Sequence, residues 1–135
     1  MNPCALLVHD NVAVRTLLGV RLEAAGFSAV VATDGIRGLE AAREHRPSLV
    51  LVDMTSPPSG AAELVHILAE RRDRDMQICV IADPDDSRKL ESLDGVRVLT
   101  RGQVFHPGFT TALRRRFADG IPYAEERREP FFLDV

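Results

Sequence analysis

Polar side chains with chemical potential follow directly on short apolar runs at several points in the chain. His9 and Asp10 come straight after Ala5-Leu6-Leu7-Val8, and Asp53 comes straight after Leu49-Val50-Leu51-Val52. Asp83 follows Ile78-Cys79-Val80-Ile81-Ala82, and Thr100 and Arg101 follow Val96-Arg97-Val98-Leu99. Carboxylates gathered at one edge repel one another, and a hard divalent cation relieves that repulsion by taking carboxylate and carbonyl oxygens into its octahedral shell. A carboxylate beside such a cation, with a guanidinium nearby to neutralise the transferring oxygens, has the equipment of a phosphoryl acceptor. An Asp at that edge would act as the nucleophile.

These groups meet only if the apolar runs are neighbouring strands that end at the same edge. The period of the apolar residues switches repeatedly between continuous short runs and helical spacing, which is the pattern of repeated βα units. Ala5 to Val8, Leu49 to Val52 and Ile78 to Ala82 are apolar on both faces, as central parallel strands must be. Ser28 to Thr33 and Val96 to Leu99 are more interrupted and suit the edges. Between them, Val14, Leu17, Leu18, Leu22 and Ala25 form one helical stripe, ended by Gly26. Asp34 can cap a second helix carrying Ile36 and Leu39, stopped by Pro47. Ala61, Leu64 and Leu68 stripe a third helix, a short polar one is expected over Asp85 to Leu93, and Phe109, Ala112, Leu113 and Phe117 stripe the last. The expected fold is α/β: a (βα)5 doubly wound, flavodoxin-like parallel sheet of five strands in order 2-1-3-4-5. In such a sheet ligands bind at the carboxyl ends of the strands, the edge that His9, Asp10, Asp53 and Arg101 share.

Composition narrows the function classes. The chain has 135 residues, of which 45% are hydrophobic, which is one domain's worth of core and no more. We expect that domain over residues 1-119 and a tail over 120-135, where Phe131-Phe132-Leu133 either packs back or meets a partner. Cys4 and Cys79 are far apart and match no zinc spacing, so they read as reduced thiols of a cytoplasmic protein. No apolar run is long enough to cross a bilayer, and no basic segment precedes the first one. The formal charge is −3 with scattered bases, so neither direct nucleic-acid binding nor a membrane partner is expected. Arg114-Arg115-Arg116 suits the carboxyl end of the last helix, where cations meet the dipole.

The ordered series Leu6-Leu7-Val8-His9-Asp10-Asn11, Ala25-Gly26-Phe27, Ala32-Thr33-Asp34-Gly35, Pro47-Ser48-Leu49-Val50-Leu51-Val52-Asp53-Met54 and Pro57 with Gly60 resembles the receiver domain of bacterial two-component response regulators. The resemblance covers about residues 5 to 117. It implies a phosphoacceptor role for Asp53, direct binding of Mg2+ by Asp10 with Asp53 and the Thr55 backbone carbonyl as further ligands, and a bacterial cytoplasmic location. It also implies a histidine kinase or another signalling protein as partner, while a monomer and a homodimer through the last helix stay open as alternatives.

Several positions depart from that pattern. His9 stands where the family has an acid, which weakens Mg2+ by one carboxylate. Ile81 stands where a Ser or Thr would hydrogen-bond the phosphoryl group, Val98 where an aromatic switch residue would follow it, Arg101 where the family has Lys, and Gly102 where proline comes next. A protonated His9 standing in for the metal's charge is one reading of the first departure, and a structural pairing of Arg101 with Asp53 is one reading of the cation. Asp10 also has the option of capping the helix that follows. The expected function is therefore an atypical or pseudo-receiver, a protein-interaction module in which Asp53 accepts phosphate without a switch to transmit it. The alternative is a fully phosphorylation-driven receiver served by a histidine kinase, with no enzymatic activity beyond taking and losing its own phosphoryl group. A small phosphohydrolase ranks last, since no Gly-rich phosphate loop or nucleophile elbow is present.

Overall fold

The computed structural model describes residues 2–71, 76–83, 88 and 90–116. In chain order the elements are β1 (Cys4–Val8), α1 (Val12–Ala24), β2 (Ser28–Ala32), α2 (Gly35–His45), β3 (Leu49–Asp53), α3 (Ala61–Arg71), β4 (Gln77–Ile81), β5 (Val96–Leu99), α4 (Arg101–Phe105) and α5 (Gly108–Arg116). All strand pairs are parallel and the sheet order is β2-β1-β3-β4-β5. Chain order reverses beside β1, so the carboxyl ends of β1 and β3 flank the crevice where this class of sheet binds ligands.

Alternation along each buried strand divides the core in two. Leu7, Leu51, Cys79 and Ile81 face α1 and α5, packing with Leu18, Leu22, Phe109 and Leu113. Leu6, Val8, Val50, Val52, Ile78 and Val80 face the other way, onto Ala42 of α2 and Leu64, Val65 and Leu68 of α3. A strand buried on both sides has no polar positions to spare, and this is why the central strands read as continuous apolar runs.

The helix boundaries follow from local chemistry. Asn11 caps α1, its side chain accepting from the Val14 N–H at 3.1 Å, and Gly26 at φ +100 turns the chain out of the helix. The capping role open to Asp10 thus belongs to Asn11, which is better placed by one residue. Asp34 caps α2 through the Arg37 N–H at 2.8 Å. Gly35 follows it and lies so close to the β3–α3 loop that its N–H reaches the Ser59 carbonyl at 2.7 Å.

Two expectations change and one helix is added. Leu17 and Ile36 are exposed, at 49% and 75%, because the sheet takes only the Leu18–Leu22 side of α1 and because Ile36 sits on the outward side of the first turn of α2. The last helix is found at Gly108–Arg116, and a helix that the pattern did not announce precedes it: α4, started by a reciprocal Thr100–Gln103 capping box, ends at His106, whose extended backbone (ψ 140) is what a following proline imposes. Of the short polar helix expected over Asp85 to Leu93, Arg88, Leu90 and Glu91 are helical and the rest falls partly outside the described residues, as do Phe117 and the tail. Among the described residues no helix is long and apolar enough to cross a membrane.

Both cysteines are free thiols, Cys79 wholly buried within β4. Burial, partly offset by the Arg97 guanidinium, pushes the Cys79 thiol up to about 12. A thiol reagent is therefore expected to leave Cys79 unmodified in the folded protein and to reach it only on unfolding. Because the folded thiol titrates above the free one, its contribution to stability is complete below the ordinary thiol range. That contribution is lost as pH rises through this range towards about 12. Modification of Cys79 at the rate of a free thiol would show instead that β4 opens readily.

Candidate functional site

The register aligns Val8 with Val52 and Asp53 with Ile81, so His9, Asp53 and Ile81 follow one another across the carboxyl edge of β1, β3 and β4. The edge is held shut one residue further than the strands themselves. The His9 N–H donates to the Ala32 carbonyl at 3.0 Å and the Met54 N–H to the Ile81 carbonyl at 2.7 Å. Asp53 is 2% exposed and His9 1%, the only buried polar side chains among the described residues. A buried carboxylate is tolerated only if donors meet its lone pairs, and here they do. His9 Nε2 lies 2.8 Å from Asp53 Oδ2. The Thr55 N–H and hydroxyl both donate to Oδ1, at 2.9 and 2.5 Å. Beyond them, Arg101 Nε and Nη2 donate to Thr55 Oγ1 at 3.0 and 2.7 Å, with Nη2 3.6 Å from Asp53 Oδ2.

The tautomer of His9 is decided by the chain itself. The Asn11 N–H points at His9 Nδ1 from 3.0 Å, so Nδ1 accepts and the ring proton sits on Nε2, where it is donated to Asp53. The Asn11 N–H occupies the direction that a proton on Nδ1 would take. Asp10 is mainly in solvent, with Oδ1 3.8 Å from that same nitrogen.

The structure brings His9, Asp53, Thr55 and Arg101 into one hydrogen-bonded group and leaves Asp10 at its rim. Arg101 does pair with Asp53, but largely through the Thr55 hydroxyl; its position is set by being the first residue of α4 and not by a strand end. Gly102 is the second residue of that helix. Ile81 stands beside Asp53 within the α1 and α5 core, whereas Val98 pairs with Val80 and packs on the opposite face. Among the described residues no group of three His, Cys, Asp or Glu side chains is gathered closely enough to hold a metal.

No family model matches the chain. Over 87 residues, 64% of this chain, it is 32% identical to the DNA-binding response regulator MtrA of Mycolicibacterium paratuberculosis, and the matched stretch is 38% of that protein's length. It therefore spans well under half of that protein. Its fold is similar to that of the chemotaxis protein CheY4 of Vibrio cholerae, with TM-score 0.69 and 19% identity over 86% of this chain and 98% of the other. The chain carries a receiver domain. The pseudo-receiver domain of CikA has the same fold as well, with TM-score 0.61 and 21% identity over 73% of this chain and 84% of that one.

Two contributors to the receiver site were not apparent from residue types. The resemblance singled out the Thr55 backbone carbonyl, but it is the Thr55 side chain that joins Arg101 to Asp53. Asn11, which reads simply as a helix cap, also fixes the His9 tautomer through its backbone. A threonine two residues after a strand-ending Asp is the local signal for the first, since such a hydroxyl readily bonds back to the carboxylate. The second has no sequence signal, because any non-proline residue supplies the N–H.

Proposed function

We propose that this is an atypical receiver that acts by binding another signalling protein in its unphosphorylated state, with Asp53 serving as a buried, internally satisfied acid. One observation carries this reading: both oxygens of Asp53 already accept hydrogen bonds, Oδ1 from Thr55 and Oδ2 from His9. Attack on phosphorus needs a carboxylate lone pair aimed at the donor, and the His9 hydrogen bond occupies one of the two lone pairs of Oδ2. A phosphoryl group placed there would meet Ile81, which has no hydroxyl to offer, and Val98 lies on the far side of the sheet.

Mg2+ does not fit the donor set as it stands. His9 fills the place of a carboxylate with a ring whose one lone pair is taken by Asn11 and whose proton is given to Asp53, leaving Asp10 and the Thr55 carbonyl as the free oxygens. The surface we assign to partner binding comprises β5, α5 and the helical residues near Leu90. The partner class is a signalling protein, and the setting is the bacterial cytoplasm.

Titration with Mg2+ and then beryllofluoride, followed by amide shifts with Asp53→Asn as control, tests the reading. We expect no Asp53-dependent change at Val98 or along α5. Shifts that spread from Asp53 to α5 and vanish in Asp53→Asn would establish a phosphorylation-driven receiver instead, and a histidine kinase should then be sought.

A further inference from the structure

The end of the sheet opposite Asp53 holds a cavity of about 290 Å³ between the last turns of α2 and α3. Its floor is apolar, with Leu39, Leu68 and Met76, while Arg43, Arg46 and Arg71 stand around it. None of the three guanidiniums has a carboxylate partner among the described residues. A concave apolar site of this size, at the lower end of the range for ligand pockets, takes an aromatic anchor well. An arginine rim selects for acids beside that anchor.

The chain itself contains such a segment. Residues 125–134 read Glu-Glu-Arg-Arg-Glu-Pro-Phe-Phe-Leu-Asp, four acids against two arginines, and the charged residues nearest the two phenylalanines are the acids Glu129 and Asp134. The start of the tail lies at the right end of the molecule. The Arg114 guanidinium donates to the Ala24 carbonyl, which places the end of α5 beside the end of α1, at the edge from which the strands begin. The cavity lies at that same edge, where Pro47 and Ser48 lead into β3 and Met76 into β4. Fourteen residues, 117–130, span up to roughly 46 Å at about 3.3 Å each. That exceeds the width of a domain whose radius of gyration is about 14 Å.

We propose that residues 130–134 dock in cis into this arginine-rimmed cavity, the rings of Phe131 and Phe132 on the floor and Glu129 and Asp134 against Arg43, Arg46 and Arg71. The tail then covers the α2–α3 surface whatever the state of Asp53, and leaves the β5–α5 surface free.

The methyl groups of Met76 and Met54 give a test in the full chain labelled at methionine methyl carbons. Met76 lines the cavity and Met54 lies at the other end of the sheet. With the tail docked, ring currents move the Met76 methyl upfield of its position in the double variant Phe131→Ala/Phe132→Ala, while Met54 stays put. That variant alters no residue of the cavity. Arg43→Glu/Arg71→Glu, which changes two exposed side chains, is expected to return Met76 to the same position. The shift is expected to persist on dilution. An identical Met76 signal in the full chain and the tail variant overturns the proposal. So does a shift that disappears on dilution, which would mean that a second copy supplies the tail, or one that survives the arginine reversals, which would remove charge matching as its basis.

Discussion

Replacing His9 by alanine is expected to lower the unfolding free energy by about 3 kcal/mol, a large share of what a domain of this size has to lose. The substitution removes the donor to Asp53 Oδ2 while leaving the carboxylate 2% exposed, and it opens a space where the imidazole was. The cost comes from the stranded acceptor more than from the lost bond. Asp53→Asn supplies the control, since a neutral amide demands less of its surroundings. In a double-mutant cycle, His9→Ala is expected to cost clearly less in the Asp53→Asn background than in the parent. Urea denaturation of the four proteins measures this. A loss under about 1 kcal/mol for His9→Ala, equal in both backgrounds, would mean that water entering from the open sheet edge replaces the imidazole, and that the Thr55 and Arg101 contacts suffice to hold Asp53.

Gly35→Ala is expected to destabilise the fold by about 3 kcal/mol, at the upper end of what overpacking costs. A β-carbon at Gly35 would stand 2.1 Å from the Gly60 carbonyl oxygen and 2.4 Å from its carbon. Both are backbone atoms, so no rotamer change relieves the clash and the loop from Met54 to Gly60 has to move. The Gly35 N–H to Ser59 carbonyl bond is strained by the same displacement. That loop carries Thr55, so the effect extends to the site: the Thr55 and Asp53 amide signals are expected to shift along with those of Gly60. Gly19, where a β-carbon meets nothing within 4 Å, is the comparison, and alanine there is expected to be neutral or slightly stabilising. If Gly35→Ala proved equally neutral, the α2 start and the β3–α3 loop would not be in the close contact that the structure assigns them.

Much of the architecture was legible because it rests on short-range rules. A strand buried on both faces must be apolar throughout, so Leu6 to Val8, Leu49 to Val52 and Ile78 to Ile81 announce themselves, and parallel strands joined by helices leave few topologies open. Asp34 as a cap and Gly26 as a terminator are likewise local. Burial of individual helix residues was less legible: Leu17 and Ile36 are apolar, yet each lies a fraction of a turn away from the side that the sheet covers, and periodicity over one short helix does not resolve that angle. The short helix α4 carried local signals, the Thr100 and Gln103 capping pair at its start and Pro107 beyond its end, but no apolar stripe long enough to announce it.

For the site, the sequence by itself determined that His9 and Asp53 arrive at the strand edge, because each comes straight after an apolar run that reads as a central strand. It also determined that Ile81 offers no hydroxyl there. Only the tertiary structure decided what these groups do to one another. That His9 donates through Nε2, that Thr55 bridges Arg101 to the carboxylate, and that both oxygens of Asp53 thereby accept hydrogen bonds depend on separations of 2.5 to 3.0 Å between residues up to 46 positions apart. Hydrogen bonding is steep in distance and angle, so residue types name the participants while the packing of β1 against β3, and of α4 against the edge, selects the bonds.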